Sequence, residues 1–164
     1  MKYPSTTLLL LLCMSLGSGR AAGAERLPEC PTVASLPQGD WSRVDLGVRF
    51  SFLIPPCYQL SEEPPQHVRG GKRWSCGTDI VEAGWGMWSI GSGSRQCTVT
   101  IEEIPVVIDR AQDDGGTRVT AYYQTRHRHG EPLISAWSSD PRVLALLDAI
   151  VRSGGFTRKR EPNQ

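Results

Sequence analysis

The stretch DPRVLALLDAIVRSGGF, residues 140–156, carries the clearest helical pattern in this sequence. Its apolar residues recur at intervals of three and four, which places them on one face of an α-helix. They are Val143, Leu146, Leu147, Ile150 and Val151. Asp140 is a favourable N-cap and Pro141 suits the first helical position, while Gly154-Gly155 predicts the C-terminal cap. The stretch therefore predicts one amphipathic helix, after which Phe156 folds back onto the core.

The chain upstream of this helix alternates apolar and polar residues, and a period of two predicts half-buried strands. Residues 48–54 alternate in this way until Pro55-Pro56, which ends the strand because proline cannot donate to a ladder. The same alternation returns in residues 97–101, 119–125 and 133–137. These segments predict a chain that is mostly sheet before residue 140.

Shorter strands are predicted between these segments. Residues 73–76, 79–82 and 85–90 have strand-like composition, and Gly84 separates the last two. The run Asp113-Asp114-Gly115-Gly116 predicts a turn, because these residue types accept a positive φ. About seven short strands followed by one helix make an α+β fold, in which the helix can bury its apolar face only by covering one side of an antiparallel sheet.

The chain is predicted to hold one folded domain with extensions at both ends. Residues 1–24 are predicted to be a signal peptide, and residues 25–47 an N-terminal arm rich in proline and small side chains. Residues 48–156 form the single α+β domain. The charged residues 157–164 are expected to be a disordered tail.

The signal peptide is predicted from three features in their usual order. Lys2 supplies a positive charge, residues 8–16 form a short apolar run, and Ala22-Gly23-Ala24 is a cleavage pattern of small residues. Cleavage after Ala24 would send the protein to the periplasm or the medium, with no membrane attachment afterwards. The alternatives are an uncleaved N-terminal anchor and a lipid-modified Cys13.

The cysteines predict two disulfides. Cys30, Cys57, Cys76 and Cys97 remain after cleavage, and an even number in an exported chain indicates pairing. The favoured pairs are Cys76–Cys97, across neighbouring strands of a meander, and Cys30–Cys57, which would hold the N-terminal arm. A zinc site is disfavoured because no two of these cysteines have the close C-x₂₋₄-C spacing.

Charge and motifs exclude several function classes. The 18 Lys and Arg residues nearly balance the 17 Asp and Glu residues, and no basic stripe indicates nucleic-acid binding. Residues 91–95 do not match the G-x-S-x-G elbow of serine hydrolases. Glu102 and Glu103 are expected on opposite faces of a strand, where they cannot act as an acid/base pair. No catalytic residue and no cofactor are therefore predicted.

Two histidines are the best candidates for metal ligands. His127 and His129 are two positions apart, so on a strand both imidazoles would point to the same face. Copper or zinc accepts imidazole ligands, but two ligands are few for a site. The alternative is a solvated hairpin end, where Arg126 and Arg128 repel a cation.

The tryptophans are candidates for either ligand binding or packing. Trp85 and Trp88 have glycine neighbours and could stack on a sugar or anchor a protein partner. The alternative is that they fill the core between the sheet and the helix, and the sequence does not choose between these. Trp74 and Trp137 are expected in the core.

The chain also resembles a group of small exported bacterial proteins of unknown function, over about residues 48–156. The shared features are an early strand ending in a proline pair (50–56), a Trp-bearing strand pair (72–74 and 79–81), a Cys-containing strand (96–100) and a final helix closing on an aromatic residue (140–156). The last feature is also similar to domains of the PsbP and Mog1 type. The resemblance implies an α+β domain and carries over no catalytic residue.

These observations predict an uncharacterised secreted or periplasmic domain with two disulfides and a non-catalytic binding or structural role. Its expected partner is an envelope protein or a glycan. The alternative is a small cell-envelope enzyme or an inhibitor of a hydrolase.

Overall fold

The computed structural model of the protein describes residues 27–32, 39–66, 68–86, 95–113, 115–125 and 130–157. The predicted signal peptide, Trp88, His127, His129 and nearly all of the predicted tail lie outside these ranges. No helix among the described residues has the length and apolar character needed to cross a membrane.

Antiparallel strands make up most of the described chain, and one helix follows near its C-terminus. The strands are β1 Ser42–Asp45, β2 Phe50–Ile54, β3 Gln59–Leu60, β4 Arg69–Cys76, β5 Asp79–Gly86, β6 Arg95–Ile101, β7 Ile104–Asp113, β8 Gly116–Tyr123, β9 Glu131–Ser138 and β10 Gly155–Phe156. A 3₁₀ turn over Pro141–Val143 leads into helix α1, Leu144–Arg152. The predicted α+β class, with a sheet of seven strands and one C-terminal helix, is confirmed.

The strands form two sheets. The large sheet has the order β3-β4-β5-β9-β8-β7-β6, and the small sheet has the order β1-β2-β10. One face of the large sheet packs against α1 and β2, with Phe50, Phe52 and Ile54 of β2 almost wholly buried. Leu147 and Ile150 come from the predicted stripe of α1 and are also buried. Full burial of each such side chain contributes about 1.5–3 kcal/mol, so this interface contributes strongly to stability.

The start of β2 differs from its prediction. Gly47, Val48 and Arg49 have φ values of 81°, 49° and 65°, so they form a left-handed turn and the strand begins two residues later, at Phe50. β1 pairs with β2 across this turn, inside the segment predicted as an arm. The apolar alternation could not reveal the turn, because Val and Arg seldom adopt positive φ.

A second left-handed turn corrects the prediction for Glu102 and Glu103. Their φ values are 47° and 70°, and they connect β6 to β7 as a two-residue hairpin turn instead of lying on a strand. Positive φ at both central residues is the geometry whose twist matches paired strands. β5 also differs, since it runs without a break through Gly84.

The C-terminal end of α1 does not use glycine as its cap. Ser153 is the cap residue, with φ −80°, and its hydroxyl donates to the carbonyl of Ile150 at 2.7 Å. The backbone N–H of Leu53 in turn donates to that hydroxyl at 2.8 Å. Gly154 is not in the left-handed region. It is needed because a Cβ there would lie 2.5 Å from the Tyr123 ring and 2.8 Å from the Phe50 ring.

Two buried tyrosines give a matched test of hydrogen bonding in the core. The Tyr123 hydroxyl donates to the carbonyl of Val151 at 2.6 Å, and that carbonyl belongs to the last turn of α1, which lacks helical partners. Burial raises the pKa of Tyr123, so its hydroxyl keeps the proton it donates. The buried hydroxyl of Tyr58 has no hydrogen-bond partner in the described chain.

We therefore expect opposite results from the same change at these positions. Tyr123→Phe leaves the Val151 carbonyl unsatisfied and should lower the free energy of unfolding by about 1–3 kcal/mol. Tyr58→Phe removes an unsatisfied hydroxyl and should leave the free energy of unfolding unchanged or raise it. Urea denaturation of both variants measures this difference. An equal loss in the two variants would contradict the assigned hydrogen bonds.

Candidate functional site

The disulfides join residues that the sequence did not pair. The structure contains Cys30–Cys97 and Cys57–Cys76, with Cα–Cα distances of 4.8 Å and 5.4 Å. The predicted pairs Cys76–Cys97 and Cys30–Cys57 are wrong. The reason is the strand order, because four strands separate β4, which carries Cys76, from β6, which carries Cys97. Strands are about 4.8 Å apart, so these two cysteines are on the order of 24 Å from each other.

The segment around Cys30 covers the outer edge of β6. The Cys30 N–H donates to the carbonyl of Thr98 at 2.7 Å, and the Thr98 N–H donates to the carbonyl of Pro28 at 2.8 Å. Glu29 thus forms a parallel bridge with Thr98. An edge strand presents unpaired backbone groups. Here the Cys30–Cys97 disulfide holds the segment around Cys30 against the edge strand β6. We refer to residues 28–31 as the N-terminal segment.

A cleft of about 730 Å³ opens between the N-terminal segment, β6 and the beginning of α1. We call it the α1 cleft. Its apolar walls are Pro28 and Pro31 on one side and Pro141, Leu144 and Ala145 on the other. Pockets for small molecules usually measure about 300–1,000 Å³, so the volume suits a small ligand. Leu144 as a whole residue is 37% exposed, which makes it one of three large exposed hydrophobic residues in the described chain.

An ion-pair network forms one side of the α1 cleft. Arg110 of β7 donates to one carboxylate oxygen of Asp148 on α1, and Arg152 donates to the other at 2.8 Å. The side chain of Asp148 is only 3% exposed, so it is a buried charge compensated by two guanidinium groups. Arg110 also approaches the sulfur of Cys97 at 3.6 Å. Removing one partner of such a buried pair usually costs several kcal/mol, so this network fixes α1 against the sheet.

Two further arginines line the α1 cleft with different surroundings. Arg142 holds both carboxylate oxygens of Asp140, at 3.0 Å or less, and these hydrogen bonds lower the pKa of Asp140 to about 2. Arg95 is exposed and lies directly opposite Arg110 across the β6–β7 pair. Within the described ranges, no ion pair neutralises Arg95. Like charges directly opposite each other on neighbouring strands are unfavourable.

The predicted ligand-binding tryptophan Trp85 lies away from this cleft. It is half-buried on β5, with its ring edge-on to Phe50 at 6.2 Å between centroids. Its indole N–H donates to the carbonyl of Leu46 at 3.4 Å. Trp85 therefore supports the turn between β1 and β2, and its role with a ligand stays a prediction, as does that of Trp88 outside the described residues.

Of the two tryptophans predicted to lie in the core, one is found there and the other is not. Trp74 is buried at 5% exposure and packs edge-on against Phe52, 5.4 Å between centroids, which confirms its place in the core. The core prediction for Trp137 is wrong, since this residue is half-buried and does not belong to the core cluster. Trp137 instead lies over Gly116, where a Cβ would come 2.7 Å from the indole.

The structure does not place the predicted metal ligands. His127 and His129 lie outside the described residues. Within the described ranges, no three His, Cys, Asp or Glu side chains lie together in an arrangement that could hold a metal ion.

The residues of the α1 cleft were not found from the sequence. Asp148 and Arg152 are four positions apart on a helix, a spacing that favours an ion pair, and an acid inside an apolar helix stripe is a visible signal. The third member, Arg110, comes from a strand 38 residues away in the chain. No local pattern joins it to them.

A comparison with protein-family models and with curated proteins found no match for this chain.

Proposed function

We propose that this protein is exported through a cleaved signal peptide and acts outside the cytoplasm as a non-catalytic binding domain. The α1 cleft is its ligand site. The observation that carries the proposal is an apolar cleft of about 730 Å³ whose walls are cross-linked by a disulfide and an ion-pair network. Among the described residues that line it, the one nucleophilic side chain is Cys97, and its sulfur is bonded to Cys30.

Cross-linked walls favour binding because the protein loses little conformational freedom when a ligand enters the cleft. The N-terminal segment is joined to β6 by Cys30–Cys97, and α1 is joined to β7 by Arg110 and Asp148. A site that is already held in its bound shape has higher affinity, mainly because less conformational entropy is lost when the ligand binds. Both walls of the α1 cleft are held in this way before a ligand is present.

The proposed location is supported by the same cross-links. Structural disulfides persist in oxidising compartments such as the periplasm and the medium. The chain forms two of them, closing 67 and 19 residues. The N-terminal run of Lys2, leucines and Ala22-Gly23-Ala24 agrees with export.

The α1 cleft can be tested with a neutral apolar dye. N-phenyl-1-naphthylamine becomes fluorescent in apolar sites, and we expect saturable binding to the wild-type protein. Ala145→Trp fills the cleft from the side of α1 and should lower the affinity at least about tenfold, which corresponds to about 1.4 kcal/mol.

The matched control is Leu60→Trp. Leu60 is 61% exposed on β3, at the edge of the large sheet opposite to β6, so this variant should bind the dye as the wild type does. Absence of saturable binding to the wild type would refute the proposal. So would equal affinities of the Ala145→Trp variant and the wild type.

A further inference from the structure

We infer that the α1 cleft selects a small amphipathic anion, whose anionic group lies beside Arg95 and whose apolar body lies between the N-terminal segment and α1. A medium-chain carboxylate has this chemistry. The inference rests on the proposed function of the α1 cleft as a ligand site, and it adds the class of ligand.

The first argument is the excess of positive charge on one side of the cleft. Arg95 and Arg110 are direct partners in the β6–β7 register, and both line the cleft beside α1. The charge of Arg110 is balanced by Asp148, but Asp148 also accepts a hydrogen bond from Arg152. One carboxylate therefore serves two guanidinium groups, and none of the ion pairs among the described residues includes Arg95.

An anion would remove this imbalance. A carboxylate beside Arg95 accepts charge-assisted hydrogen bonds, and the planar guanidinium can supply two of them in parallel. It would also reduce the repulsion between Arg95 and Arg110, since opposite charge then lies between two like charges. Arg142 is a weaker candidate for this role because its donors already bind Asp140.

The second argument is the apolar surface next to these charges. Pro28 and Pro31 of the N-terminal segment and Leu144 and Ala145 of α1 all line the cleft, so the apolar body of a ligand there would remove apolar surface of both elements from water. Burial of apolar surface is favourable by about 25 cal/mol per Å². The ligand that satisfies both parts of the site therefore carries an anion at one end and an apolar body at the other.

The acidic groups of the cleft do not cancel this preference. Glu29 is exposed at the rim, where solvent and salt screen its charge. Asp148 is buried beneath Arg110, with both of its oxygens engaged by arginines. The position directly opposite Arg95 in the β6–β7 register is occupied by Arg110 and not by either carboxylate.

Two dyes that differ by one sulfonate test the inference. The probes are 8-anilinonaphthalene-1-sulfonate, which is an apolar anion, and N-phenyl-1-naphthylamine, the same ring system without the sulfonate. We expect the wild type to bind the anionic dye about tenfold more tightly, the size of effect expected for hydrogen bonds to a charged group. Arg95→Gln should abolish this difference, because it weakens binding of the anionic dye more than binding of the neutral dye.

The control variant is Arg49→Gln, which removes an exposed arginine from the turn between β1 and β2 and should keep the tenfold preference. Dodecanoate should displace the anionic dye from the wild type, and 1-dodecanol should do so much less well. Equal affinities of the wild type for the two dyes would overturn the inference alone, and so would an equal effect of Arg95→Gln on both. If the wild type does not bind the neutral dye, the ligand site in the α1 cleft fails and the inference fails with it.

Discussion

Replacing both Cys30 and Cys97 with serine is expected to lower the free energy of unfolding by about 4 kcal/mol, because their bridge closes 67 residues of chain, a loop that the retained Cys57–Cys76 bridge shortens by 19. The corresponding loss for Cys57 and Cys76, which close 19 residues, is about 3.2 kcal/mol. In the chain-entropy model the difference arises in the unfolded state, where the longer loop restricts more conformations. Urea denaturation of the two double variants under identical buffer conditions measures both losses, and each variant is the control for the other.

The same variants test the pairing itself. The single change Cys30→Ser should leave a free thiol at Cys97 and keep Cys57 and Cys76 joined. Mass spectrometry after thiol labelling without reduction identifies the modified cysteine. A label on Cys57 in this variant would contradict the structure. A larger loss of stability for the 19-residue bridge would contradict the chain-entropy estimate.

A second large effect is expected at Gly154. Gly154→Ala places a methyl group against the rings of Tyr123 and Phe50, 2.5 Å and 2.8 Å from their nearest ring atoms. Both rings are fully buried and cannot move aside without disturbing the core. Overpacking of this kind costs about 1–3 kcal/mol, and urea denaturation measures the loss.

Gly155→Ala is the matched control. The Cβ added there would meet the carboxylate of Glu102 at 2.5 Å, but Glu102 is an exposed side chain whose end can swing away. This variant should stay within about 0.5 kcal/mol of the wild type. If both glycine variants have the same free energy of unfolding, the close packing at Gly154 does not limit stability.

The effects of Gly154→Ala and Tyr123→Phe on the free energy of unfolding should not add up in the double variant, since the two residues are in contact.

The features that follow from side-chain patterns were predictable, and those that depend on backbone handedness were not. Apolar alternation predicted β6, β8 and β9, and the spacing of three and four predicted α1. The turns at Val48-Arg49 and at Glu102-Glu103 were missed, because these residue types rarely adopt positive φ. The local sequence therefore predicts an extended strand where the chain reverses.

The strand order explains why the disulfides and the α1 cleft were missed. Consecutive strands usually lie side by side, and that expectation favoured the wrong pair Cys76–Cys97. β9 instead inserts beside β5, which moves β6 to the far edge of the sheet. The partners of Cys97 and Arg110, which are Cys30 and Asp148, come from opposite ends of the domain. No local spacing in the sequence records such contacts.

The two disulfides are nested, because Cys57 and Cys76 both lie inside the loop that Cys30 and Cys97 close. Synthesis runs from the N-terminus, so Cys30 and Cys57 leave the ribosome before either native partner is available. An oxidant that joins thiols in order of appearance makes Cys30–Cys57 first, a bond that the native fold does not contain. Release from that product needs attack by a thiolate through a mixed disulfide. With such an oxidant, the yield of native protein depends on a free thiol that can exchange with the wrong bond as well as on the oxidant.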